Sequence, residues 1–364
     1  MNKSVWGAAV LLAAGASAWA QAQAQAQAPA QAQVTVWGIV DVNVHVVRNE
    51  GFGHRKSVSQ GGMNPSRLGF RGVEDLGGGY TAAFWLEGGI DADTGGNGFN
   101  FARESHVTLG GPFGKLRLGR DYTPTFWQTT APFEPFGNNG LGSSVNIARF
   151  NLGSSHVGGA ALQQPSSLRA SNSVSYFLPS LNGVYGQAMV SAPEGVANGK
   201  YVGARVGYAK GALNAAAGIG RQRVDFAGGD WTVQNVAATY DFGAARAMAQ
   251  YNRDRLETAV ATGTETRWLI GTVVPVGTGE IRASYVSSDL ADSDNDATQL
   301  ALGYVHFLSK RTALYGTAAR ITNKGTAQFS LTGGSATVPA NASPGGPVSG
   351  GSSSGMEIGI RHLF

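Results

Sequence analysis

The feature that most constrains this chain is an alternation with a period of two residues that begins at Val34. Every even position from Val34 to Val46 is valine or glycine, whereas Asp41, Asn43 and His45 stand at odd positions. Successive side chains of a β-strand point to opposite faces, so the segment predicts a strand with one apolar and one mixed face. The apolar face contacts either a second sheet or lipid, and one strand does not decide between them.

The same pattern recurs along the chain and predicts about sixteen strands of roughly 8 to 12 residues each. An even number of strands of this length is typical of an antiparallel barrel that spans a membrane with tilted strands. The predicted strands are Val34–Val47, Ser66–Glu74, Tyr80–Asp91, Phe101–Gly110, Gly114–Asp121, Asn172–Pro179, Gly183–Ala192, Tyr201–Ala209, Ala212–Arg223, Trp231–Phe242, Ala244–Arg255, Glu265–Val276, Glu280–Ser288, Ala297–Leu308, Thr312–Asn323 and Gly355–Phe364.

The connections between these strands alternate between short turns and long loops. Lys210–Gly211 is a short turn, whereas Arg48–Pro65, Tyr122–Ser171 and Lys324–Ser354 are long. Short turns at one end and long loops at the other are typical of outer-membrane barrels. An open sheet edge in lipid would leave backbone groups unpaired, so residues 34–364 are predicted to form one closed domain.

Composition and the N-terminus agree with an exported membrane barrel. Only 14% of the 364 residues are charged, 54 are glycine and none is cysteine; soluble domains usually have about a quarter charged residues. Lys3, the apolar run Val5–Ala14 and Ala18-Trp19-Ala20 predict a signal peptide over residues 1–20. The Gln/Ala-rich residues 21–33 are predicted to be a disordered lead-in to the barrel.

Several segments, in the same order, resemble the β-proteobacterial trimeric porins of Gram-negative bacteria. The resemblance implies an all-β, 16-stranded antiparallel transmembrane β-barrel in the outer membrane, assembled as a homotrimer, with an inward-folded third extracellular loop. It also implies that the last strand, ending in Phe364, is recognised by the barrel-assembly machinery. The matching segments are Val34–Asp41, Ser66–Gly79, Leu118–Pro124, Leu308–Tyr315 and Gly359–Phe364.

The family resemblance further implies a pore constriction with basic side chains on the barrel wall, opposite the inward loop. Three arginines match those places: Arg67, Arg103 and Arg149. Glu134 is the only carboxylate in the Tyr122–Ser171 loop. Charged side chains at the narrowest point set ion selectivity, so this set predicts a preference for anions.

Two further arginines, Arg120 and Arg169, are secondary candidates for the lumen wall. Alternation supports a lumen-facing Arg67, because Leu68 would face lipid. Arg103 shares parity with Val107, which in an isolated strand would place it on the lipid side.

Three functions remain open from the sequence. The first is a general-diffusion porin for the passive transport of ions and small hydrophilic solutes, with anion preference. The second is a solute-specific channel for organic acids or phosphate. The third is a surface adhesin or antigen displayed through Lys324–Ser354, whose Gly/Ser-rich composition is typical of a mobile loop.

Enzymatic, metal-binding and nucleic-acid-binding functions are not expected. The chain has no nucleophile-elbow or phosphate-binding motif, and its histidines lack the spacing of metal ligands. Asp292–Asp296 has neither the glycine nor the closing glutamate of a calcium loop. Basic residues are dispersed, so nucleic acid is not a predicted partner, nor is any cofactor. The expected partners are lipid and lipopolysaccharide of the outer membrane, together with small anionic and hydrophilic solutes.

Overall fold

The computed structural model describes residues 33–96, 99–129, 133–148, 168–193, 200–224, 228–259, 262–331 and 346–364. The predicted signal peptide, the lead-in up to residue 32 and Arg149 lie outside these residues. The described part contains one 17-stranded antiparallel sheet. No helix within it is long and apolar enough to cross a membrane.

The strands confirm the sixteen predicted ones and add one more, β2. They are β1 Gln33–Asn49, β2 Gly53–Gln60, β3 Arg67–Gly77, β4 Tyr80–Gly89, β5 Glu104–Gly111, β6 Gly114–Tyr122, β7 Arg169–Phe177, β8 Val184–Ser191, β9 Tyr201–Lys210, β10 Leu213–Val224, β11 Gly229–Asp241, β12 Arg246–Glu257, β13 Thr262–Val276, β14 Gly279–Leu290, β15 Ala297–Phe307, β16 Thr312–Asn323 and β17 Ser352–Leu363.

Strand β1 closes the sheet into a barrel. One of its edges pairs with β17. Its other edge pairs with β2 in its second half and with β3 in its first half. Strands β2 and β3 therefore share one place in the sheet, and the barrel has sixteen places around its circumference. Closure pairs both edges of β1 within the described sheet, which a membrane-spanning sheet requires of its strands.

Strand β2 lies inside the segment Arg48–Pro65, which the sequence predicted to be one long loop. The prediction was wrong for the residues of β2. The outward-facing positions of the strand include His54 and Lys56 rather than a row of apolar residues, so alternation gave no signal. Strand β2 is instead defined by the hydrogen bonds between its backbone and that of β1.

The alternation predicted for β1 is confirmed by burial. Val36 and Val44 are 56% and 51% exposed on the outer face, whereas Asp41 and Asn43 are 0% and 1% exposed on the inner face. An apolar exterior with a polar interior is the arrangement of a barrel that has lipid outside and water inside.

The loop between β6 and β7 folds into the barrel, as predicted. It contains two short 3₁₀ helices, Phe126–Thr129 and Ser144–Ile147. Polar side chains of the inner wall bind its backbone: Asn235 donates to Thr125 O at 2.7 Å, and Gln299 donates to Ser143 O at 2.9 Å.

The same loop also packs against the wall through an apolar cluster inside the barrel. Phe136, Leu141 and Ile147 of the loop pack with wall residues that include Val286 and Ile321. All five side chains are buried, and Phe136 is the most exposed of them at 5%. Burying a side chain of this kind stabilises the fold by about 1.5 to 3 kcal/mol, so the loop is fixed to β13–β17 rather than free in the lumen.

Candidate functional site

A basic cluster lies on the inner wall, around the carboxylate of Glu87. Arg67, the first residue of β3, donates from an Nη atom to Glu87 Oε1 at 3.1 Å. Arg103 donates from Nε to the same oxygen at 2.6 Å. Trp85 donates to the other oxygen, Oε2, at 3.2 Å. One carboxylate thus holds two guanidinium groups side by side.

The position of Arg103 resolves the parity problem that the sequence posed. Strand β5 begins one residue later, at Glu104, and Val107 is 59% exposed on the outer face. Because Arg103 lies in a bend before the strand, its side chain is not bound by the alternation and turns towards Glu87 on β4.

A third guanidinium joins the cluster through Tyr122, the last residue of β6. The Tyr122 hydroxyl accepts hydrogen bonds from Arg103 at 3.0 Å and from Arg169 at 2.7 Å. The guanidinium carbon of Arg169 also lies 4.4 Å from the centre of the Tyr122 ring, a cation–π contact that favours the charged side chain. Arg67, Arg103 and Arg169 therefore come together on the wall formed by β3, β5 and β7.

The charges of this cluster are unequally exposed. The side chains of Arg67 and Arg103 are 18% and 16% exposed, whereas that of Glu87 is 2% exposed. A solute in the lumen therefore meets guanidinium groups, with the carboxylate behind them. Three guanidinium charges and one carboxylate leave a net charge of two positive units. We call Arg67, Arg103, Arg169 and Glu87 the arginine cluster.

Glu134 lies away from the arginine cluster. It accepts hydrogen bonds from the Ser144 backbone N–H at 2.6 Å and from the Ser144 hydroxyl at 2.8 Å. Only 1% of the residue is exposed. Burial raises the pKa of Glu134 to about 7, against the opposing effect of these hydrogen bonds. Its carboxylate joins two parts of the inward loop and does not line open lumen.

Arg120, predicted as a secondary lumen-wall charge, is half-buried at a β-bulge of β6 between Gly119 and Asp121, and its role in the lumen stays a prediction. Its side chain donates to Ser171 Oγ at 2.6 Å and to the carbonyl oxygen of Ala102. Arg149, the remaining predicted arginine, lies outside the described residues.

Sequence reasoning missed Glu87, Tyr122 and the aromatic wall beside them. Arg67 lies 5.8 Å from the centre of the Trp37 ring, which contacts Trp85. The only available signal was parity, since Trp85 and Glu87 stand at alternate positions of the predicted strand Tyr80–Asp91. Their pairing with arginines depends on the register between β3, β4 and β5.

The inward loop starts beside the arginine cluster, where the Phe126 ring stacks on the Tyr122 ring at 4.5 Å, and its distal part is bound by the other side of the barrel. The cluster belongs to β3, β5 and β7, whereas the loop is bound by β11, β12, β15 and β17. Counted around sixteen places, these two walls are about half a circumference apart. The loop therefore fills part of the lumen between the arginine cluster and the far wall.

Comparisons with known proteins agree with this architecture. A family model described as Gram-negative porin matches residues 7–326. Outer membrane porin protein 32 of Delftia acidovorans is 37% identical over 378 aligned residues, covering 100% of both chains. The solved anion-selective porin from Comamonas acidovorans has a TM-score of 0.81 and 35% identity, covering 92% of this chain and 100% of that one.

A more distant solved structure shares the fold alone. The trimer form of OmpT of Vibrio cholerae has a TM-score of 0.66 at 16% identity, covering 92% of this chain and 99% of that one. The family match spans most of the sequence, and the Delftia relative covers all of it. This chain therefore belongs to the Gram-negative porin family, and it is a porin of the outer membrane.

Proposed function

We propose that this porin is a general-diffusion channel that passes ions and small hydrophilic solutes and prefers anions. The observation behind the proposal is the unequal exposure of the arginine cluster, in which guanidinium groups face the lumen and Glu87 is buried behind them. Charge at a narrow point with low-dielectric walls raises the local concentration of ions of opposite sign. The solved Comamonas relative is named an anion-selective porin, which supports the same preference.

Permeation of matched solutes tests this proposal. Proteoliposomes that contain the purified porin are given a small organic sulfonate and a quaternary ammonium ion of similar size. We expect the sulfonate to enter faster, because the passage presents net positive charge. Equal rates, or faster uptake of the ammonium ion, would contradict anion preference while leaving the channel itself intact.

A solute-specific channel is the second candidate, because three convergent guanidinium groups could also hold a carboxylate or a phosphate. Conductance measured against salt concentration separates the two functions. General diffusion predicts conductance that rises in proportion to potassium chloride and is not blocked by micromolar organic acid or phosphate. Saturation or block at micromolar concentrations would favour a specific site.

We also propose that residues 1–20 are removed on export, that residues 21–33 lead into the barrel, with Gln33 already paired in β1, and that three copies form a homotrimer. The OmpT relative is described in a trimer form, which supports the assembly. N-terminal sequencing of the outer-membrane protein tests the cleavage. Light scattering of the detergent-solubilised protein tests the assembly, and a monomer mass would contradict it.

Phe364 is proposed to guide assembly by the barrel-assembly machinery and to extend the pairing between β17 and β1, where the barrel closes. Its backbone exchanges two hydrogen bonds with Gly38, each 3.1 Å long, next to the β1–β17 pairing. A Cβ atom at Gly38 would lie 2.2 Å from the Phe364 ring, so glycine there leaves room for the aromatic side chain.

Lipopolysaccharide is proposed to bind an outer rim of arginines on β12, near the long-loop end. Below this rim, Tyr251, Trp268 and Tyr285 form an exposed aromatic row, in which the Trp268 and Tyr285 rings are 5.3 Å apart. Aromatic rows of this kind mark the membrane interface. Just above them, Arg253 and Arg255 face outward, at the depth where lipid phosphates lie.

Binding of phosphorylated and dephosphorylated lipopolysaccharide tests this rim. A porin with both Arg253→Glu and Arg255→Glu should lose most of its binding to the phosphorylated form, whereas Arg311→Glu at the short-turn end should not. Unchanged binding by the rim variant would contradict the proposed contact.

A further inference from the structure

Three side chains that commonly bind metal ions converge on the inner wall beside the arginine cluster. Glu104 and His106 stand at alternate positions on the inner face of β5, and Asp121 lies on the neighbouring strand β6. One donor atom from each residue lies within 4.8 Å of the other two. The three residues are 8%, 7% and 1% exposed, so they form a buried group rather than a solvated surface.

One ring nitrogen of the buried His106 imidazole has no partner. Among the described residues, Nδ1 has no hydrogen-bond partner. Nε2 lies 3.4 Å from Glu104 Oε2. A buried polar atom without a partner commonly marks the place of an ion or an ordered water.

We propose that Glu104, His106 and Asp121 form a binding site for a divalent ion of the zinc type, one per chain. One imidazole nitrogen with two carboxylate oxygens suits zinc, which accepts three protein ligands and leaves a fourth position open. Calcium and magnesium suit the site poorly, because they take six or more oxygen ligands. The Glu104 side chain is 11% exposed and gives the ion access from the lumen.

Asp121 is already held in place for this role. Its Oδ2 accepts a hydrogen bond from Arg117 at 2.7 Å, and its Oδ1 accepts one from the Tyr122 backbone N–H at 2.7 Å. Outer hydrogen bonds of this kind orient metal ligands. Zinc–ligand distances of about 2.0 to 2.2 Å place donor atoms about 3.3 Å apart. Glu104 and His106 already meet this spacing at 3.4 Å, and since all three donor atoms lie within 4.8 Å of one another, small side-chain movements complete the site.

The site is adjacent to the arginine cluster, since Arg103 directly precedes Glu104 and Glu87 pairs with Glu104 across β4 and β5. A bound divalent ion adds positive charge beside the passage and strengthens its anion preference. This consequence depends on the proposed channel function, whereas metal binding itself does not.

Calorimetry with zinc chloride tests the site on the tag-free, chelator-treated porin in detergent. We expect one zinc ion per chain, with an affinity at least tenfold lower in both His106→Ala and Glu104→Gln. The matched control is His306→Ala, because His306 lies at the short-turn end, where its Nδ1 is 3.3 Å from Thr278 Oγ1. That control should bind zinc as the unaltered porin does.

Absence of zinc binding, or unchanged binding by His106→Ala, would overturn the site. Glu104→Gln preserves side-chain shape, so its loss of binding cannot be assigned to an unfolded barrel, and heat-modified migration on gels checks folding of each variant. In bilayers, micromolar zinc should shift the reversal potential further towards anions in the unaltered porin and not in His106→Ala. Zinc binding without that shift would overturn the electrostatic consequence.

Discussion

Replacing Arg67 by glutamate tests the arginine cluster through its charge. The cluster has a net charge of two positive units, and Arg67→Glu brings it to zero. A unit charge about 6 Å from a passing ion contributes roughly 0.7 kcal/mol in water, and 0.1 M salt leaves about half of this. Two units therefore attract chloride by about 0.75 kcal/mol and repel potassium by about as much, a difference of about 1.5 kcal/mol, or about tenfold.

The assay is the reversal potential in planar bilayers between 0.1 M and 0.01 M potassium chloride. An ideally selective pore would give about 59 mV in this tenfold gradient. A tenfold preference gives about 40 mV in the direction of anion selectivity, and Arg67→Glu should bring the potential close to zero. Heat-modified migration on gels checks folding, because the substitution removes an ion-pair partner of the buried Glu87.

The control for this experiment is Arg253→Glu, which makes the same change of charge on the outer face of β12. Its reversal potential should equal that of the unaltered porin. An unchanged potential in Arg67→Glu would refute the reasoning, because Arg67 could not then lie where ions are selected. An equal shift in Arg253→Glu would show that overall charge, rather than the cluster, determines selectivity.

Three other predictions concern Glu87, Glu134 and Phe364. Glu87→Gln removes the buried negative charge, so bilayer reversal potentials should show chloride preference increased about threefold; an unchanged potential would contradict this. The folded pKa of Glu134 is raised to about 7. The stability of the inward loop should therefore be greatest below the usual pKa of a glutamate, 4.5, and should fall as the pH rises from there through about 7. Hydrogen exchange over residues 133–148 should show this dependence, and Glu134→Gln should abolish it. Phe364→Ala should reduce folded barrel in the outer membrane, measured by heat-modified gel migration, with Leu363→Ala as control; equal yields would contradict the assembly role.

Alternation predicted the barrel because each membrane-spanning strand must separate lipid from water along its own length. It failed for β2, where the outward positions include His54 and Lys56. It also misled for Arg103, because parity holds only within a strand and β5 begins at Glu104. A strand start is fixed by backbone pairing with the neighbouring strand, which a single sequence does not reveal.

The site was predicted only in part for a similar reason. Arg67 follows from alternation, but Glu87 joins it through the register of β3 and β4. Glu134 was predicted to oppose the arginines because it is the only acid of the inward loop. Its place was decided by the Ser144 hydrogen bonds, which form only when the loop folds back on itself. Contacts across strands and within a folded loop lie beyond what residue order shows.

The central claim is that the partly exposed guanidinium groups of the arginine cluster give the lumen an anion preference. The most direct test is the reversal potential of the unaltered porin in a series of tenfold potassium chloride gradients at rising total salt. We predict a potential on the anion-selective side that declines as salt screens the cluster. A potential on the cation-selective side, or one near zero at the lowest salt, would contradict the account.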